Sequence, residues 1–77
     1  MGPDDQDIAA VLRELAARRG PGKTFCPSET ARALSADWRP LMPDIRRVAG
    51  DMGLMATQKG QAVDARTARG PIRLGLP

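Results

Sequence analysis

Pro40 and Pro43, three residues apart in the segment Asp37-Trp38-Arg39-Pro40-Leu41-Met42-Pro43, constrain this chain more than any other feature. Both cannot lie inside one regular helix, because each lacks an amide hydrogen for the ladder and its ring clashes with the preceding turn. A turn between two helices is therefore required. Upstream, Cys26-Pro27-Ser28-Glu29 reads as a helix start, with proline at the first helical position and a carboxylate placed to serve the free amides of the first turn. Phe25 to Ala49 thus predicts two short helices joined by a compact turn. Such a helix-turn-helix core serves many functions, so the fold alone does not assign one.

The flanking segments extend this core. Asp4 or Asp5 caps a first helix in which Ile8, Val11, Leu12 and Leu15 repeat at helical spacing. It runs to about Arg19, where Gly20-Pro21-Gly22 ends it and Arg18 and Arg19 suit the helix dipole. Lys23-Thr24-Phe25 is read as a brief edge strand. In the second helix, Ala31 and Leu34 face inward with Phe25, Glu29 and Arg32 face solvent, and the helix stops near Ser35. The third helix starts at Pro43 and turns Ile45, Val48, Ala49 and Met52 inward, with Asp44, Arg46, Arg47 and Asp51 off that stripe. Gly53 supplies a left-handed stop.

Beyond Gly53, Leu54 to Gln58 reads as a strand, Lys59-Gly60 as a tight turn and Gln61-Ala62-Val63 as a short return. Asp64 caps one helical turn through Ala68, and Gly70-Pro71 breaks it. Ile72, Leu74 and Leu76 alternate as in a half-buried strand, which is expected to pair with Leu54 to Gln58. The order is that of an α+β winged helix: a three-helix core with a helix-turn-helix and a C-terminal β-hairpin wing, spanning residues 1–77 as one domain.

A chain of 77 residues is close to the lower limit for a single stable core, so each large apolar residue counts. With one Phe, one Trp and no Tyr, Trp38 is expected to be the largest single contributor to that core. One cysteine and no histidine argue against an internal disulfide, a zinc site and histidine-based catalysis. No apolar run approaches the roughly 18 residues of a membrane span, and Met1 to Gln6 is acidic, unlike a basic secretory leader. The expectation is a bacterial-type cytoplasmic protein with no cofactor, no metal and no membrane association.

Five motifs taken together carry a resemblance: FCPSE at Phe25 to Glu29, WRPLMP at Trp38 to Pro43, TQKG at Thr57 to Gly60, VD at Val63-Asp64, and ARGPIRL at Ala68 to Leu74. In this order they resemble a family of small, mostly bacterial proteins catalogued as a domain of unknown function with a winged-helix-like fold. The resemblance implies that fold and transfers no activity. Some relatives accompany a small cysteine-rich segment that this chain lacks, so a metal role associated with it does not carry over.

Charge gives the functional candidates. Residues 58–77 hold Lys59, Arg66, Arg69 and Arg73 against Asp64 alone, an excess equal to the whole chain's net charge of +3. Arg46 and Arg47 lie on the outward side of the third helix, where a recognition helix reaches base edges or phosphates. Against this, Asp44 and Asp51 weaken the local field, and a solvated helix face explains the pair equally well. Lys59 at the wing tip, with Arg66 and Arg69 beside it, is placed to follow a nucleic-acid backbone. An ordinary hairpin turn also tolerates lysine there, Asp64 is available to pair with one of the arginines, and Arg73 alternates toward solvent.

Arg39, wedged between Trp38 and Pro40, is suited to stack on an aromatic ring or to bond free carbonyls. Cys26 at a helix start has the position of a nucleophile, yet without a histidine base a buried or capping role explains it better. The carboxylates are scattered among helix starts, where capping accounts for most of them.

The leading expectation is a non-enzymatic domain that binds double-stranded DNA through Arg46, Arg47, Lys59, Arg66 and Arg69. The alternative is a protein-interaction or homodimerisation module whose charges serve solubility.

Overall fold

The computed structural model describes residues 2–77; Met1, which opens the acidic stretch Met1 to Gln6, lies outside them. Helix α1 spans Asp5–Arg19. Its start is a reciprocal cap: Asp4 Oδ1 accepts from the Asp7 N–H at 2.9 Å, and Asp7 Oδ2 accepts from the Asp4 N–H at 3.1 Å. The line that sinks into the core is Ile8, Leu12 and Ala16, with Leu15 packed at its margin. Val11, expected on the inner face, is only half-buried, because a strict four-residue repeat rotates it off the line.

Strand β1, Thr24–Phe25, leads into α2, Pro27–Leu34. Glu29 acts as its start signal implies: Oε1 accepts from the Cys26 N–H at 3.4 Å, while Arg19 on α1 pairs with the same carboxylate. The two prolines then do what their chemistry requires. Pro40 lies in a 3₁₀ turn, Arg39–Leu41, that runs directly into α3, Met42–Asp51, where Pro43 occupies the first turn. At both places a missing amide hydrogen interrupts no helical ladder. Ile45, Val48 and Ala49 are buried. Gly53 ends the helix at φ 75°, with its N–H donating to Gly50 O and that of Leu54 to Ala49 O, each at 3.1 Å. That is the left-handed helix stop that glycine makes without steric cost.

Strands β2, Met55–Gln58, and β3, Gln61–Val63, form a hairpin. Lys59 and Gly60 join them with φ 52° and 80°, the positive pair of a two-residue turn matched to strand twist. Asp64 caps a single turn, Ala65–Thr67, that closes at Ala68 as expected. Its Oδ1 accepts from the Arg66 N–H at 2.9 Å, and its carbonyl accepts from the Ala68 N–H at 2.9 Å. Arg69-Gly70-Pro71 then cannot propagate a helix.

Strand β4, Arg73–Gly75, completes an antiparallel sheet in the order β1-β4-β2-β3. The expected pairing with the first wing strand is present, as Met55↔Gly75, Ala56↔Leu74 and Thr57↔Arg73. The arrangement is α+β and winged-helix-like, three helices against a four-stranded sheet, with the hairpin's second strand on the sheet's outer edge. Among the described residues, no helix is long and apolar enough to cross a membrane.

The core is centred on Phe25, Ile8, Leu12, Ile45 and Leu74, all fully buried. Trp38 does not lead it. The indole is half-buried at the core's margin, with the guanidinium carbons of Arg32 and Arg39 over its ring at 4.7 and 4.6 Å from the centroid. Its position at the turn between α2 and the 3₁₀ segment gives the ring cationic neighbours beside its apolar ones, a cation–π arrangement.

This packing sets an order of mutational cost. Phe25→Ala should cost about 3–5 kcal/mol of stability and Trp38→Ala distinctly less, measured by urea unfolding; the reverse order would contradict the placement of the core. Gly75→Ala should destabilise by about 1–3 kcal/mol, since a Cβ there would sit 2.7 Å from the Lys23 carbonyl oxygen. An alanine variant as stable as the parent would show that β1 and β4 are not so closely apposed.

Candidate nucleic-acid interface

The basic residues singled out by sequence separate into three groups. Arg47, on the exposed face of α3, makes a bidentate ion pair with Asp5 at the start of α1, at 2.9 and 2.8 Å, and a longer contact with Asp44 at 3.4 Å. Hydrogen bonding from Arg47 holds the Asp5 carboxyl below its ordinary pKa, and the same bonds raise that of the guanidinium. Arg66 behaves similarly, reaching Asp51 at 3.1 Å and Asp64 at 3.3 Å. The Asp64 carboxyl is lowered first by the Arg66 backbone N–H and then by its side chain. Both arginines spend their charge on carboxylates of their own chain.

Arg46 bridges differently. Its Nη1 and Nη2 donate to the carbonyl oxygens of Ala68 and Gly70 at 2.7 and 2.6 Å. The loop between β3 and β4 is thereby strapped to α3. The stem of Arg66 reinforces the strap by lying where a side chain at Gly50 would project, with Cγ 2.8 Å from an ideal Cβ at that position. Much of the α3 surface that would approach a nucleic-acid groove is therefore occupied by the protein's own loop or carries Asp44 and Asp51.

The third group keeps its charge. Lys59 is exposed at the hairpin tip and Arg69 is exposed in the loop. Among the described residues neither makes an ion pair. Gln58 holds their backbones together, its Nε2 donating to the carbonyl oxygens of Arg69 and of Pro71, the latter at 3.2 Å. Arg73, which alternation assigned to solvent, joins them. It is exposed, yet its guanidinium is fixed by Thr24 Oγ1 at 3.0 Å, Thr24 O at 3.0 Å and Cys26 Sγ at 2.9 Å. None of the three acceptors is a carboxylate, so Arg73 is oriented without an ion pair. Its position opposite Thr57 follows from the strand register; its reach to Thr24 required knowing that β1 lies on the other side of β4.

Lys59 and Arg73 also line a groove of about 300 Å³, together with Cys26, Thr57, Gln58, Pro71 and Ile72. Cys26 is half-buried there and its thiol serves as an acceptor for Arg73. The sequence motifs TQKG and ARGPIRL supply most of this wall; only the fold brings Cys26 to it.

The ion pair between Asp5 and Arg47 has a measurable consequence. A carboxyl whose folded pKa is depressed contributes stability above its unfolded pKa and loses it as pH falls through the folded value. Arg47→Ala should therefore return the Asp5 carboxyl upward toward its ordinary value in a carbon-detected NMR titration. An unchanged titration would mean that the pair does not persist in solution.

Comparison with curated proteins finds no match. The family model described as "Protein of unknown function (DUF3253)" matches residues 5–77, which takes in all the helices and strands just described and each of the five sequence motifs. The chain therefore belongs to this family of proteins of unknown function.

Proposed function

We propose that the protein is a non-enzymatic nucleic-acid-binding domain that grips the phosphate backbone with its wing and leaves α3 out of the interface. The observation that carries this reading is the division of charge: Lys59, Arg69 and Arg73 have no carboxylate partner among the described residues, whereas Arg47 and Arg66 are bound to Asp5, Asp44, Asp51 and Asp64. Releasing Arg47 or Arg66 to a phosphate would leave those carboxylates facing the polyanion, a like-charge repulsion that offsets the attraction of arginine for phosphate. Arg46 contributes indirectly by holding the loop that carries Arg69. Phosphate contacts position a protein without reading bases, so binding should depend on charge and salt more than on sequence.

Titration of mixed-sequence duplex DNA across salt concentrations tests this directly. About three phosphate contacts predict a log–log slope of roughly −3, and Lys59→Ala or Arg69→Ala should each reduce its magnitude by about 1. Arg47→Ala should leave the slope unchanged. No binding at low salt, or a slope that responds to Arg47 and not to the wing, would contradict the proposal.

A second reading rests on the sheet edge. β3 forms the outer strand of the hairpin and Gln61 and Ala62 are exposed, so its outer backbone groups are available to add a strand from another chain. A salt-insensitive dimer in sedimentation, without DNA affinity, would favour that interaction module over the first reading.

A further inference from the structure

We infer that the groove beside the wing is a binding site for a phosphate ester that carries a flat ring, the chemistry of a nucleotide. It goes beyond duplex binding and does not require it. Three features of the groove point to such a ligand. Pro71 and Ile72 give its lining apolar surface, which suits the face of a ring. Its rim carries two cations, Lys59 and Arg73, and its lining contains no carboxylate, so an anion at the rim meets no repulsion within the site.

The third feature is preorganisation. Arg73 is held in place by Thr24 Oγ1, Thr24 O and Cys26 Sγ, and a guanidinium fixed without an ion pair presents its remaining N–H groups without further ordering. A planar fork of this kind matches two phosphate oxygens, while the flexible Lys59 ammonium supplies a point charge from the hairpin tip. The volume of about 300 Å³ is at the small end of ligand pockets, which run from about 300 to 1,000 Å³, and fits one nucleotide unit rather than a larger cofactor. That unit is either a free nucleotide or the phosphorylated end of a strand.

Cys26 supplies the measurement, because its half-buried thiol lines the groove and a bound ligand shields it. The rate of Cys26 alkylation by iodoacetamide, a neutral reagent, would be followed by mass spectrometry with increasing adenosine 5′-monophosphate. The expected result is a saturable, several-fold slowing that neither adenosine nor inorganic phosphate reproduces at the same concentration. Lys59→Glu, at an exposed hairpin tip, should abolish the slowing when each rate is compared with the same variant's own unliganded rate.

A 5′-phosphorylated oligonucleotide distinguishes the two sources: protection at lower concentration than the mononucleotide assigns the strand end, and the reverse assigns the free nucleotide. Parallel ¹H–¹⁵N spectra should show shifts centred on Cys26, Thr57–Lys59 and Ile72–Arg73. Alkylation unaffected by the mononucleotide and the oligonucleotide, slowed equally by adenosine, or still slowed in Lys59→Glu would overturn the inference. Because the mononucleotide arm contains no duplex, failure there leaves duplex binding standing. Loss of duplex binding alone likewise leaves the groove standing.

Discussion

Leu74 holds the two halves of the molecule together. It is fully buried and, as the middle residue of β4, pairs with Phe25 of β1 on one side and Ala56 of β2 on the other. The helical half delivers Phe25 and the hairpin half delivers Ala56, so the sheet closes only when the last strand enters between them. Burying such a side chain contributes on the order of 2–3 kcal/mol, a large share of the stability available to a domain of this size. Gly75 permits the closure by leaving room for the Lys23 carbonyl. The same insertion carries Arg73 to Thr24 and Cys26, and so builds the groove and the cationic rim that the proposed activities use.

The electrostatics follow from this topology. The loop from Asp64 to Pro71 must travel from the outer strand back to the middle of the sheet, and it crosses α3 on the way. Arg46, Asp51 and Gly50 receive it there through Ala68, Gly70 and Arg66. A helix that accepts a loop across its surface has less of that surface left for a nucleic acid. Lys59 at the hairpin tip, Arg69 in the loop and Arg73 on β4 make no ion pair among the described residues. A net charge of +3 is modest as an average, and residues 58–77 alone carry an excess of that size, a bias of the kind that attracts a polyanion.

Much of the fold was legible in the sequence because its signals are local. The prolines at positions 27, 40 and 43, the cap at Asp4, Gly53 and the Lys59-Gly60 turn each act through φ, a missing N–H or a side chain within four residues. Long-range facts were not legible in that way. Trp38 looked like the centre of the core by size, but its place at a turn put it beside Arg32 and Arg39. Arg46 and Arg47 looked like recognition residues by helical position, and the acceptors that engage them, at Ala68, Gly70 and Asp5, lie 22, 24 and 42 residues away. Alternation put Arg73 on the outer face correctly and gave no sign that its guanidinium is fixed across β1.

Whether binding belongs to the wing and not to α3 can be decided by ¹H–¹⁵N mapping of the protein with duplex DNA at low salt. The amides of Lys59, Arg69 and Arg73 and their immediate neighbours should shift, while those of α3 from Asp44 to Asp51 stay in place. Shifts centred on α3, with the wing unmoved, would show that the division of charge does not direct binding.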